Sequence, residues 1–209
     1  MLIEYTDPQG SDAWHEARRG VITGSRFKDA RDRKVNGSMT AVALGYAQDL
    51  ARERCGGLLL PMFATPAMRI GTEQEPAARL AYELQTGCVV EECGFWATED
   101  GLFGVSPDGL VGDDGLIEIK TMCSSATLFR AVVDRDIRDY RDQIVGELWL
   151  LRREWCDLCL WAPDLGDGGA LVIRRICRDE EEIDTLAADL VAFAGTVERL
   201  EAALRSAIG

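Results

Sequence analysis

Ser106-Pro107-Asp108-Gly109-Leu110-Val111-Gly112-Asp113-Asp114-Gly115-Leu116-Ile117-Glu118-Ile119-Lys120 is the stretch on which the reading turns. Ser106 to Gly109 has the composition of a turn between strands, and it sets Asp108 at the end of a β-meander. Leu116 to Lys120 alternates strictly, so Glu118 and Lys120 share one face of a strand while Ile117 and Ile119 take the other. An antiparallel return through Gly112-Asp113-Asp114-Gly115 brings Asp108 back against Glu118. Two carboxylates and an ammonium then converge.

Working outward, CVVEE (88–92), GFWAT (94–98) and LFGVS (102–106) read as further short strands of the same meander. Before them the chain reads helical. Ser11 or Asp12 caps a short helix through Arg18, and Gly24-Ser25 opens another towards Lys34. Asn36-Gly37-Ser38 breaks the chain, Met39 to Arg54 forms a helix stopped by Gly56-Gly57, and Thr65-Pro66 starts one that runs to about Gln85 with a restart or kink at Pro76. After Lys120 come helical stretches at Ser124–Val133 and Ile137–Arg152, strands at Cys156–Ala162 and Ala170–Cys177, and a last helix from Asp179 to about Ser206. This order predicts an α/β or α+β fold in one domain over residues 1–209, a central mixed β-sheet flanked by helices.

Hydrophobic residues make up 47% of the 209, enough for one sizeable core, and no apolar run is long enough to span a bilayer. An acidic, polar N-terminus unlike a signal peptide predicts a cytoplasmic protein. Seven cysteines without regular spacing suit reduced thiols, and Cys156-Asp157-Leu158-Cys159 reads as core rather than a metal or redox motif. His15 is the single histidine, with no nucleophile elbow for a serine hydrolase to use, and no phosphate-binding loop for ATP is present. Net charge is −13, which argues against coating a polyanion through a broad basic face. One basic stretch, Arg26 to Lys34, sets five cations against two carboxylates, and Arg31, Arg33 and Lys34 in it are candidate DNA contacts.

Hydrolysis of a phosphodiester needs an activated water and charge stabilisation on the phosphate and leaving oxygen, all of which divalent metals supply. Magnesium takes few protein ligands and prefers hard oxygens, so Asp108 and Glu118 suffice as a nucleus. Lys120 can orient or deprotonate the water, or balance charge in the transition state. An isolated E-x-K is usually a solvated strand. The preceding Pro-Asp turn, at a spacing that folds back on the strand, makes the pattern more specific.

Four blocks together resemble phage lambda exonuclease and its viral recombinase relatives, a branch of the P-D-(D/E)-x-K nuclease superfamily. They are Gly10 to Ser25, Gly71-Thr72-Glu73-Gln74-Glu75-Pro76-Ala77-Ala78-Arg79, the 106–120 stretch, and Tyr140-Arg141-Asp142-Gln143. The resemblance implies a restriction-endonuclease-like core. It also implies that Asp108, Glu118, the Ile119 carbonyl and Glu75 bind two Mg2+ ions, with Mn2+ as a substitute. From residue types alone, Glu73 and Glu83 compete equally with Glu75. Lys120 would serve the water and Gln143 would sit beside it. Arg18 and Ser25 would bind a terminal 5′-phosphate, and Trp14 is either core or the aromatic support of that pocket. The implied activity is 5′-to-3′ digestion of one strand from a double-stranded DNA end, leaving 3′ overhangs for recombination. A homotrimeric ring, a single-strand annealing partner and a phage or prophage origin in a bacterial host complete that expectation. An endonuclease of the same superfamily and a non-catalytic DNA-end-binding module are the alternatives.

Overall fold

The computed structural model describes residues 1–58, 65–166 and 169–209. Instead of one central sheet, the strands form two four-stranded mixed sheets. In the first, β1 (Leu2–Tyr5) and β4 (Phe103–Val105) flank β3 (Phe95–Thr98) antiparallel, and β2 (Ile22–Thr23) adds to β4 in parallel. In the second, β5 (Gly109–Val111), β6 (Gly115–Thr121), β7 (Trp155–Ala162) and β8 (Ala170–Cys177) lie side by side in chain order. Only β6 and β7 run parallel there, so the chain between them must cross over, as parallel neighbours require. The 88–92 run expected as a strand contributes a single bridge, Glu91 to Leu110. With β5 only three residues long, there is little edge for it to pair with.

The helices follow their capping chemistry. Ser11 accepts from the Trp14 amide to start α1 (Asp12–Ala17). The helix foreseen from Gly24 to Lys34 is shorter: a 3-10 turn at Gly24–Arg26 leads into α2 (Phe27–Arg31), and Arg33 then bridges to Met39. Thr40 caps α3 (Ala41–Arg54), and Thr65 caps α4 (Pro66–Thr86). That last helix continues through Pro76 and stops at Gly87, whose φ of 73° suits a residue with no Cβ. The crossover contains α5 (Ser125–Leu128), a π-helical turn at Phe129–Val133 and α6 (Arg138–Leu151). Asp179 accepts from the Glu181 and Glu182 amides to start α7 (Glu180–Ile208). Among the described residues no helix is long and apolar enough to cross a membrane.

The second sheet is covered on both faces. Ile117, Ile119, Cys159 and Trp161 pack under Ala78 and Tyr82 of α4, while Leu116, Cys156, Leu158 and Leu160 pack under Ile144 and Leu148 of α6. Cys156 and Cys159 are thus core residues. From its other side α6 sends Val145 and Leu150 into a cluster with Phe27, Tyr46 and Phe193, against the first sheet's Ile22 and Phe103. One helix therefore joins both layers. It approaches α2 closely at Gly146, where a Cβ would overlap the ring of Phe27. Beneath α4, the buried Asp157 carboxylate accepts from Tyr82 Oη at 2.8 Å and from Arg175 Nε and Nη2 at 2.9 and 2.7 Å.

Gly146→Ala is expected to cost about 1–3 kcal/mol by overpacking against Phe27. A urea unfolding midpoint equal to wild type would show that α6 is not seated this closely.

Candidate active site

Asp108 and Glu118 meet because the β5–β6 hairpin folds back as the turn chemistry predicts. The Asp108 amide donates to the Ile117 carbonyl at 3.1 Å, and the Ile119 amide donates to Asp108 Oδ2 at 2.5 Å. The face that carries Glu118 is not solvated: Glu118 is 2% exposed, roofed by α6. Its Oε1 accepts from Lys120 Nζ at 2.6 Å and from Gln143 Nε2 at 2.7 Å. Gln143 Oε1 in turn accepts from Lys120 Nζ at 3.2 Å, and the ammonium stands 5.8 Å from the centre of the Tyr140 ring. Glu118 Oε2 is buried with no partner among the described residues.

Glu75 comes to the same cleft from α4, which it lines together with Thr72, Asp108, Glu118, Ile119 and Lys120. Arg79, one turn on, donates to Glu75 Oε1 at 2.7 Å and to the Asp108 carbonyl at 3.3 Å, tying α4 to the Pro-Asp turn. The competing glutamates lie elsewhere. Glu83 accepts from the Val90 amide at 2.9 Å, and Glu73 is exposed on another face of α4.

A residue that residue-by-residue reading passed over completes the cluster. Glu147, one turn after Gln143 on α6, is 0% exposed, accepts from Gln143 Nε2 at 2.9 Å and leaves its Oε2 without a partner. The available signal was a lone carboxylate at i+4 from Gln143 in the otherwise apolar run IVGELWLL.

So many carboxylates around one ammonium repel one another. Burial and then Glu118 push the Asp108 carboxyl well above its ordinary range, and the same two causes raise Glu147. Burial also raises Glu75, with Arg79 opposing. For Lys120, burial alone favours the neutral amine, but Glu118 and Asp108 outweigh it and hold the ammonium protonated. The arrangement lacks positive charge and presents an unanswered buried acceptor at Glu118 Oε2, so it fits a divalent cation. Among the described residues no three His, Cys, Asp or Glu side chains are placed to hold one metal ion together, so Asp108, Glu118 and Glu75 line a common cleft without converging on a single point.

Beside this cleft Arg18 lies over the faces of Trp14, 4.2 Å from its centre, and Phe95 at 4.9 Å. Among the described residues it has no carboxylate partner, and burial lowers its pKa to about 10. Trp14 also lines a groove with Glu75 and Asp108, so the cation's platform adjoins the acidic site. Ser25 is exposed in the 3-10 turn, whose Gly24 packs towards Gln143, and it does not line the cleft that holds Arg18. Arg31 donates to Asp142 at 2.6 Å and Asp189 at 2.8 Å, and Arg33 to the Ala30 carbonyl at 2.8 Å. Lys34 is exposed. Of these three cations, Arg31 alone is paired with carboxylates among the described residues.

A family model described as a YqaJ-like viral recombinase domain matches residues 13–151. The chain belongs to this family. Its structure is similar to that of an alkaline exonuclease from Laribacter hongkongensis, with a TM-score of 0.81 and 32% identity over 94% of this chain and 98% of the other. The structure of that exonuclease in complex with dAMP matches with a TM-score of 0.82 at the same identity and coverage. A phage related exonuclease from Haemophilus somnus 129PT shares the fold, with a TM-score of 0.68 at 14% identity over 88% of this chain and 96% of the other. No curated protein sequence matches the chain. The YqaJ-like chain is accordingly a nuclease, in a family of metal-dependent nucleases, and the resemblance read from its four blocks holds.

Carboxyls raised in the fold stabilise it below their unfolded range, and that contribution is lost as pH climbs through the raised values. In chelator at pH 8, Asp108→Asn is therefore expected to raise stability by about 1 kcal/mol, about 2–4 °C in Tm, while abolishing activity. The gain should vanish at acid pH. A lower Tm for the variant at pH 8 would refute the crowded-carboxylate account.

Proposed function

We propose that this protein is a magnesium-dependent 5′-to-3′ exonuclease that digests one strand of double-stranded DNA from its end and leaves 3′ overhangs for recombination. The observation that carries the reading is the Lys120–Glu118–Gln143 cluster beneath a buried, unpartnered Glu118 Oε2, with Asp108 beside it. Asp108, Glu118, the Ile119 carbonyl and Glu75 are the residues that would hold the cations, two Mg2+ in this reading with Mn2+ as a substitute. Bound there, the metal supplies Lewis acidity at the scissile phosphate and lowers the pKa of water.

The chain's own groups do the rest. The protonated Lys120 can donate to a phosphate oxygen or orient the attacking water, and its hold on a proton favours these roles over that of base. Gln143 keeps Lys120 and Glu118 in register. Arg18, over the Trp14 ring and without a carboxylate partner among the described residues, is suited to grip a terminal phosphate with two parallel N–H donors. The alkaline exonuclease that the chain resembles, and the family's description as viral recombinases, support action on DNA ends in a recombination setting. A homotrimeric ring, a single-strand annealing partner and a phage or prophage origin belong to the same reading. A ring suits a chain of net charge −13, because positive potential then need only line the channel.

Linear duplex labelled at either end should lose its 5′-terminated strand in magnesium and remain intact in EDTA. Cleavage of closed circular DNA would instead identify an endonuclease, and equal turnover in EDTA would sink the metal mechanism. Lys120→Ala is expected to lower kcat by about 10²–10³-fold, as for loss of one preorganised donor. Arg18→Ala should abolish the preference for 5′-phosphate over 5′-hydroxyl ends; a preserved preference would move the phosphate pocket elsewhere.

A further inference from the structure

The Gln143 amide has two chemically different ends, and its surroundings decide which way they point. Nε2 carries two hydrogens and faces two carboxylate oxygens, Glu118 Oε1 at 2.7 Å and Glu147 Oε1 at 2.9 Å. Oε1 faces the Lys120 ammonium. Glu118 alone could satisfy one Nε2 hydrogen. Among the described residues the second finds its acceptor in Glu147 alone, inside a packed layer with Leu148 and Ile144 alongside. If the amide turned over, its oxygen would face Glu118 Oε1 and Glu147 Oε1 and its nitrogen the Lys120 ammonium.

Stability does not account for a glutamate here. It is fully buried, no cation pairs with it among the described ion pairs, and its Oε2 has no partner. An apolar side chain of similar volume would suit the layer better. Glu147 lines none of the clefts around the site, so it does not itself face substrate.

We infer that Glu147 is a positioning residue: it locks the Gln143 amide with nitrogen towards Glu118 and oxygen towards Lys120, and so aims the Lys120 ammonium at the reaction. This rests on the nuclease reading above, yet it concerns an arrangement present before any metal or DNA arrives.

The test uses the full-length protein and four variants, Glu147→Leu, Glu147→Gln, Gln143→Ala and the Glu147→Leu/Gln143→Ala pair. Glu147→Leu is expected to lower kcat about 10–100-fold, as losses of outer-shell partners do, with KM for duplex ends within about 3-fold and Tm at or above wild type. Glu147→Gln, which keeps an acceptor oxygen, should recover most of that loss. In the Gln143→Ala background Glu147→Leu should change kcat no further, because the two act as one unit. Metal-free protein gives an independent readout in the side-chain amide signals of its 1H–15N spectrum, with that of Gln143 identified by its absence in Gln143→Ala. Glu147→Leu should shift this signal and speed its exchange with water. Multiplying losses in the double variant, or an unmoved Gln143 signal, would overturn the inference. Glu147→Met takes the place of the leucine variant if that one does not fold. The amide readout needs no turnover, so an inactive wild type would sink the nuclease reading without touching this result.

Discussion

A carboxylate taken out of water must be answered at both oxygens, and Glu118 is answered at only one. The rest of the molecule is organised around this debt. Glu118 reaches its place because β6 is an interior strand covered on both faces, and α6 covers it because the parallel pairing of β6 and β7 requires a crossover. The same helix packs into the core against the first sheet, so the roof over Glu118 cannot shift without disturbing both layers. Gln143 and Glu147 are carried by that roof, Lys120 by the same strand as Glu118, and Asp108 by the hairpin that precedes it. A rigid scaffold thus holds like charges together.

Such crowding would be poor design for stability alone. Asp108, Glu75 and Glu147 are all shifted towards their neutral forms by burial and by Glu118, and Lys120 does not reverse the shift at Asp108 or Glu147. Stability given up at one point, where a multivalent cation can restore it, is the usual signature of a working site. Outside the site the same chemistry is settled internally. Asp157, equally buried, has Tyr82 and Arg175 on its two oxygens and leaves nothing for a ligand.

Much of this was legible in the residues themselves. The Pro-Asp turn and the Leu116–Lys120 alternation gave the hairpin and its two acids because both signals are local, and the caps at Ser11, Thr65 and Asp179 gave helix starts for the same reason. The split into two sheets was not legible, since β2 is two residues long and two residues have no period. A β-rich composition at 88–92 could not reveal that its neighbour strand would be too short to pair with it. Glu147 was hidden because a glutamate in a helix ordinarily faces water, and only the tertiary roof reverses that. The pairing of Arg31 was out of reach for a related reason: the acids that hold it lie 111 and 158 residues away.

That pairing has a consequence for how such a protein meets a polyelectrolyte. Lys28 is paired with Asp139, Arg26 with Asp29, and Arg31 with two aspartates, so in this stretch only Arg33 and Lys34 are without an acidic partner among the described residues and free to displace the ions condensed along a duplex. Binding that releases few counterions weakens little with added salt and gains little from the uniform sides of DNA. For an enzyme proposed to take DNA into a channel from its end, few free cations on this stretch shorten the time lost to unproductive encounters along the sides of the duplex.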